Sequence, residues 1–159
     1  MSEMYKTPDS DLNTFSGDID SFERFSAWGV FGLSVITFGV YVMYWFLSRT
    51  KVLNGFYQNK IPDGVVYGAL ISYVVYFVGS LVPQSFYTND LFVSLFAVIS
   101  LVYLILYLVW VFKFRSRLLE IAQGNGHPEF RINPALTFFF QSLYLQYKIN
   151  QYIDNYKSI

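Results

Sequence analysis

Cysteine is absent from this chain of 159 residues, and there is one histidine. That excludes a disulfide framework, thiolate chemistry, a Cys-based zinc site and any catalytic pair needing two imidazoles. Charge is scarce as well. Asp, Glu, Lys and Arg make up 14% of the residues, where ordinary soluble domains carry about a quarter. Eleven Lys and Arg balance eleven Asp and Glu, so no net field draws nucleic acid and none is expected as a partner. There is no Gly-x-Ser-x-Gly elbow and no phosphate-binding Gly-rich loop with its Lys. No metal site, no cofactor and no catalytic constellation are expected, and the chain does not read as an enzyme. What the sequence has in quantity is apolar surface: 54% of residues are hydrophobic, with 17 Phe and 14 Tyr. A chain this apolar does not stay unfolded in water.

Uncharged windows organise the chain. No Asp, Glu, Lys, Arg or His occurs from Phe25 to Ser48, from Gly64 to Asn89, or from Leu91 to Phe112. Each reaches the length of about 20 residues that a helix needs to cross the hydrocarbon core. The hydrophobic segments are expected at about residues 27–47, 65–82 and 91–112, with a weaker one at 132–147 that holds Asn133, Gln141, Ser142 and Gln146. The fourth suits an interfacial helix as well as a short span. The expected fold is all-α: an integral membrane bundle of three to four hydrophobic helices. Residues 1–24 are expected as an acidic, flexible tail, and 25–159 as a single membrane domain.

The punctuation between segments is legible. Asp63 can cap the second helix, Pro83 can end it, and Asn89 or Asp90 can cap the third. The third should run on through Lys113, Arg115, Arg117 and Glu120 until Gly124-Asn125-Gly126-His127-Pro128 stops it. Asn54-Gly55 closes the first. Only Pro83–Asp90 joins the second helix to the third, which makes them a tight antiparallel hairpin at the centre of the bundle. The loops with Arg49, Lys51 and Lys60 and with Lys113, Arg115, Arg117 and Arg131 belong in the cytoplasm, and the short loop without Lys or Arg belongs outside. Length favours a single crossing by the first segment, with the tail outside. A turn back at Thr37-Phe38-Gly39 would keep the tail inside.

Two stretches echo each other at a constant offset. Ile36-Thr37-Phe38 matches Leu136-Thr137-Phe138, and Tyr44 matches Tyr144. Chance among abundant Phe and Tyr accounts for this as readily as an old duplication does. The run Ser34-Val35-Ile36-Thr37-Phe38-Gly39-Val40-Tyr41-Val42-Met43-Tyr44-Trp45, followed by a basic helix end with Asn54, resembles the signature of a bacterial membrane-protein family catalogued only as a domain of unknown function. Residues 131–153 look like a degenerate copy without the Gly and Trp. The resemblance implies a small integral protein of the bacterial cytoplasmic membrane. It implies no activity.

Candidate functional residues are those of packing and anchoring. Gly64, Gly68 and Ser72 recur on one helix face, and Ser94, Ala97 and Ser100 form a second small face, the pattern of closely packed membrane helices. Trp28, Tyr44, Trp45 and Trp110 are expected as anchors at the headgroup level. Arg49, Lys51, Lys113, Arg115 and Arg117 are expected to contact headgroups. The three strong windows hold no charge, which argues against a proton-coupled transporter. The expected role is an accessory or scaffolding subunit of a larger membrane complex. Its expected partners are membrane lipids and another membrane protein or a second copy. The alternative is a lipid- or amphiphile-binding protein assisting transport. A lipid-directed enzyme would need Glu120, His127 and Glu129 to converge on one pocket.

Overall fold

A computed structural model describes residues 19–156. Residues 1–18 of the expected tail lie outside the described residues. Among the described residues the protein is all-α, with no strand. A short 3-10 turn at Ile19–Ser21 precedes α1 (Ala27–Ile36), α2 (Val40–Phe56) and α3 (Asp63–Ser80). A second 3-10 turn at Gln84–Thr88 joins α3 to α4 (Asp90–Gly124), and α5 is Pro134–Tyr156.

The first hydrophobic segment is two helices rather than one. The Ser26 hydroxyl caps the start of α1 by accepting from the Gly29 N–H. Ten residues later the helix stops. The Gly39 N–H donates to the Ser34 carbonyl at 2.8 Å, a closure that needs the left-handed backbone of Gly39 at φ +88°. The Thr37 hydroxyl clasps the turn, donating to the Leu33 carbonyl and accepting from the Tyr41 N–H. The chain then reverses. Phe25 and Tyr41 bring their rings to 6.5 Å, and Arg49 Nη2 donates to the Glu23 carbonyl at 3.1 Å. A straight helix would hold residues 23 and 49 about 39 Å apart. The single crossing favoured by length is therefore replaced by a fold-back, because Gly39 supplies a backbone that continuing helix cannot use.

α5 breaks in a similar way. Gln141 has φ 37° and ψ −117° inside it, and the Tyr144 hydroxyl accepts from the Asn133 N–H at 3.0 Å. In a straight helix those residues would lie about 16 Å apart, so the limbs 134–140 and 142–156 fold back on each other. The echo is partly structural. Thr37 and Thr137 each donate to the carbonyl four residues earlier, but the second break falls at Gln141, four residues beyond the position that matches Thr37.

α3 and α4 form the expected antiparallel hairpin. Pro62, one residue before the expected Asp63, occupies the cap position of α3, and Asn89 caps α4 by accepting from the Phe92 N–H. α4 runs unbroken to Gly124, as its sequence requires. These two helices are long and apolar enough to cross a membrane, with mean hydropathies of 1.3 and 2.7 over their best windows. Only 6% of the α4 window is buried, unlike a core helix of a soluble protein.

The molecule is polarised along α4. Its first half exposes Leu91, Val93, Leu95, Val98, Leu101 and Leu104, while its second half buries Trp110, Val111, Phe114, Leu118, Ile121 and Ala122. Around that buried half gather Trp45, Phe46 and Leu53 from α2 and Leu145, Ile149 and Tyr152 from α5. Ile19 and Phe22, expected in the tail, are buried there too. Phe22 packs edge-on against Phe56 and Phe114.

Between α3 and α4 the contact is aromatic. Tyr76 stacks on Phe96 and on Tyr103, and Gly79 admits the Phe96 ring: a Cβ there would come within 2.6 Å of it. We expect Gly79→Leu to cost about 1–3 kcal/mol by overpacking, read as a lower Tm in detergent. Gly64→Leu, where a Cβ meets open space, should leave Tm within error.

Candidate functional site

The packed end of the molecule is held by side chains that sequence reading placed elsewhere. Trp45 and Trp110 were expected at the headgroup level. Both are instead enclosed, at 1% and 0% exposure, and both rings are sited by their one polar atom. Trp45 Nε1–H donates to Gln146 Oε1 at 2.8 Å. The Gln146 amide donates to Asn150 Oδ1 at 2.9 Å, and the Asn150 amide donates to the Phe25 carbonyl at 2.7 Å. This relay ties α2, α5 and the entry to α1 together. Trp110 Nε1–H donates to the Thr50 hydroxyl at 2.9 Å, fixing α2 on α4. An indole buried without such a partner would cost about 1–3 kcal/mol. Of the four expected anchors, Trp28 and Tyr44 face outward, at 75% and 62% exposure.

The basic residues divide likewise. Lys51 is exposed and Lys113 half-buried. Arg115 spends its fork on one acceptor, with Nε and Nη2 both donating to the Ile132 carbonyl at 3.0 and 2.6 Å. This pins the loop into α5. Arg117 pairs with Glu120 at 2.8 Å. Glu120 also accepts from Tyr57 at 2.7 Å and Asn59 at 3.3 Å, and burial together with that carboxylate pushes the Tyr57 hydroxyl up to about 12. Arg49 is buried. It lines a cavity of about 490 Å³ with Ser21, Glu23, Phe25, Tyr41, Tyr44, Trp45, Ser48 and Val52.

Glu120, His127 and Glu129 each have protein partners. Glu120 is held by Tyr57, Asn59 and Arg117. His127 stacks on Tyr156 at 4.0 Å and lies 3.6 Å from Glu129. The Glu129 carboxyl is held below its ordinary range by its own backbone N–H and then by the Tyr156 hydroxyl. Among the described residues no group of three His, Asp or Glu side chains is placed to hold a metal ion.

The small faces are only partly internal. A Cβ on Gly68 would touch Leu106 of α4 at 3.2 Å, and Ser72 and Ser100 are half-buried. Gly64, Ser94 and Ala97 are exposed. Among the described glycines Gly79 has the nearest neighbour, the Phe96 ring, and it falls outside the (i, i+4) series that begins at Gly64. Gln141 and Gln146 were visible as polar residues of the fourth, weaker segment, and Asn150 lies beyond its expected end. Gln141 accepts from the Tyr107 hydroxyl where the second fold-back meets α4.

Replacing Gln146 by Leu should orphan the Trp45 indole and one end of Asn150. We expect a loss of about 1–3 kcal/mol, seen as a lower Tm. Trp45→Phe combined with Gln146→Leu should lose less than the sum of the two single changes, because the partners are then removed together.

In comparison with known proteins, the family model described as a domain of unknown function, DUF4234, matches residues 25–120, more than half of the chain. No curated protein and no solved structure matches.

Proposed function

The chain belongs to the DUF4234 family, and from that premise we propose that it is a small multi-pass protein of the bacterial cytoplasmic membrane that serves, without catalysis, as an accessory or scaffolding subunit of a larger complex. In this reading α3 and the first half of α4 cross the bilayer. The two fold-backs enter from the cytoplasmic side, where Lys51, Lys113 and the packed end lie, and turn within the bilayer. The rims they carry there are apolar: Val35, Ile36 and Phe38 on the first, Phe138, Phe139 and Phe140 on the second, all exposed. A bilayer tolerates reversing backbone where the protein satisfies its polar groups, as Thr37 and Gly39 do for the first turn.

The observation that carries the subunit role is the placement of the small residues. Ser94 and Ala97 lie one turn apart on α4 and are both exposed. Leu and Val need no cover in lipid, but a small residue leaves a hollow that a neighbouring helix fills better than a mobile acyl chain does. Two such residues outside the hairpin, and not inside it, fit a partner helix.

Native purification in mild detergent with mass spectrometry tests this. We expect a stoichiometric protein partner or a second copy, lost in the Ser94→Leu/Ala97→Leu variant with Tm unchanged. A monomer carrying lipid alone would overturn the subunit role and leave the lipid-binding alternative. The bilayer placement has its own readout, since the chain lacks cysteine. A membrane-impermeant thiol reagent on intact cells should label Tyr87→Cys and not Asn54→Cys; the reverse pattern would reject the orientation.

A further inference from the structure

The cavity beside Arg49 has a composition that packing alone does not call for. Arg49 is 92% buried by its 8% exposure, yet its Nε is enclosed with no hydrogen-bond partner. Among the described residues only Nη2 of its remaining nitrogens has an acceptor, the Glu23 carbonyl, which leaves Nη1 without one. Glu23, whose side chain is exposed, is among the residues lining the same cavity, and among the described residues the two charges make no ion pair within 4 Å. Opposite charges thus share one space without closing on each other. The other walls include Phe25, Tyr41 and Tyr44, with Tyr41 and Tyr44 ring centroids 5.8 Å apart, together with Ser21, Trp45, Ser48 and Val52. At about 490 Å³ the space falls within the usual range for small-molecule sites, roughly 300–1,000 Å³.

Its depth is set by two contacts. The tip of the first fold-back sits beside the middle of α3, where a Cβ on Gly39 would lie 3.8 Å from the Tyr73 hydroxyl. Arg49 is ten residues further along α2, about 15 Å of helix, which is half of a hydrocarbon core of about 30 Å. Independently, Thr50 bonds Trp110, which lies three residues before Lys113 at the end of the charge-free window of α4. Both measures put Arg49 at the boundary between acyl chains and headgroups.

We propose that this cavity holds the headgroup of a phospholipid bearing both a phosphate and an ammonium, the phosphate on the Nη1 of Arg49 that no protein acceptor takes and the ammonium between the Glu23 carboxylate and the Tyr41 and Tyr44 rings. An unsatisfied guanidinium matches phosphate oxygens. A cation is attracted both by a carboxylate and by tyrosine faces. A purely anionic headgroup would meet Glu23 with the wrong sign, and bare phosphate would leave the aromatic walls unused. The inference rests on the bilayer placement above but not on a protein partner.

The test uses the full chain, extracted in mild detergent, with three probes: phosphatidylethanolamine, phosphatidylglycerol, which has the phosphate without the ammonium, and glycerophosphoethanolamine, which has the headgroup without the chains. Native mass spectrometry and thermal shift should show phosphatidylethanolamine bound about tenfold or more tightly than phosphatidylglycerol. Glu23→Gln should abolish that ranking while both lipids still bind. Arg49→Gln should weaken both about tenfold or more, the scale of one charge-assisted contact. Where Arg49→Gln does not fold, Glu23→Gln decides alone, since its exposed side chain carries none of the packing. Equal or tighter binding of phosphatidylglycerol, or an unchanged ranking in Glu23→Gln, overturns the proposal. Stabilisation by glycerophosphoethanolamine equal to that by the lipid overturns the lipid assignment in favour of a soluble ligand. Recovery of the chain in the soluble fraction without detergent would fail the bilayer reading itself, a result separate from any lipid ranking.

Discussion

The relay from the Trp45 indole through Gln146 and Asn150 to the Phe25 carbonyl is the constraint on which the rest of the structure depends. Each fold-back is a weak unit by itself. The first limbs are short, ten residues in α1 and seven before the break in α5, and isolated helices of that length are marginal. They persist because their return limbs are fastened to each other by buried polar atoms whose alternatives inside the core are worse than the bonds they make. The relay also fixes the entry to α1, so that Glu23 and Phe25 arrive beside Arg49 and Tyr41. Without it the cavity at Arg49 would have only one wall.

α4 couples this packed end to the bare one. Its 35 residues pass without a break from a half that exposes Leu and Val to one that buries Trp110, Phe114 and Leu118. A single rigid helix therefore sets the depth of the fold-backs against the α3–α4 hairpin. The Trp110–Thr50 bond and the two bonds from Arg115 to the Ile132 carbonyl are the points of attachment. Arg115 and Arg117 consequently act within the protein, and the exposed positive charge of those loops is left to Lys51, Lys60 and Arg131.

Hydrophobic periodicity, caps and breakers made the α3–α4 hairpin and the full course of α4 legible, because those depend on neighbours within a few residues. Asn89 caps α4, and Gly126 closes it with a left-handed backbone, as their local chemistry demands. The same local rules named Thr37-Phe38-Gly39 as a possible turn but could not weigh it against length. The deciding terms, the Thr37 clasp and the Arg49–Glu23 contact, need the reversed chain to exist first. The tryptophans show the limit from another side. An indole has an apolar ring and one donor, which suits a headgroup boundary and equally suits a core that offers an acceptor. For Trp45 and Trp110 that acceptor is Gln146 or Thr50, 101 and 60 residues away in sequence.

The sequence by itself determined that the chain is helical, where its two long apolar helices run, and which chemistries it lacks, since these follow from composition and from residues close along the chain. The tertiary structure alone decided that the first and last segments double back, that two tryptophans and three arginines serve the interior, and that Glu23 meets Arg49 without pairing. The physical reason is the same in each case. A buried hydrogen bond or an unpaired charge is a property of two distant stretches brought into one low-dielectric space, and neither stretch carries a local mark of the other.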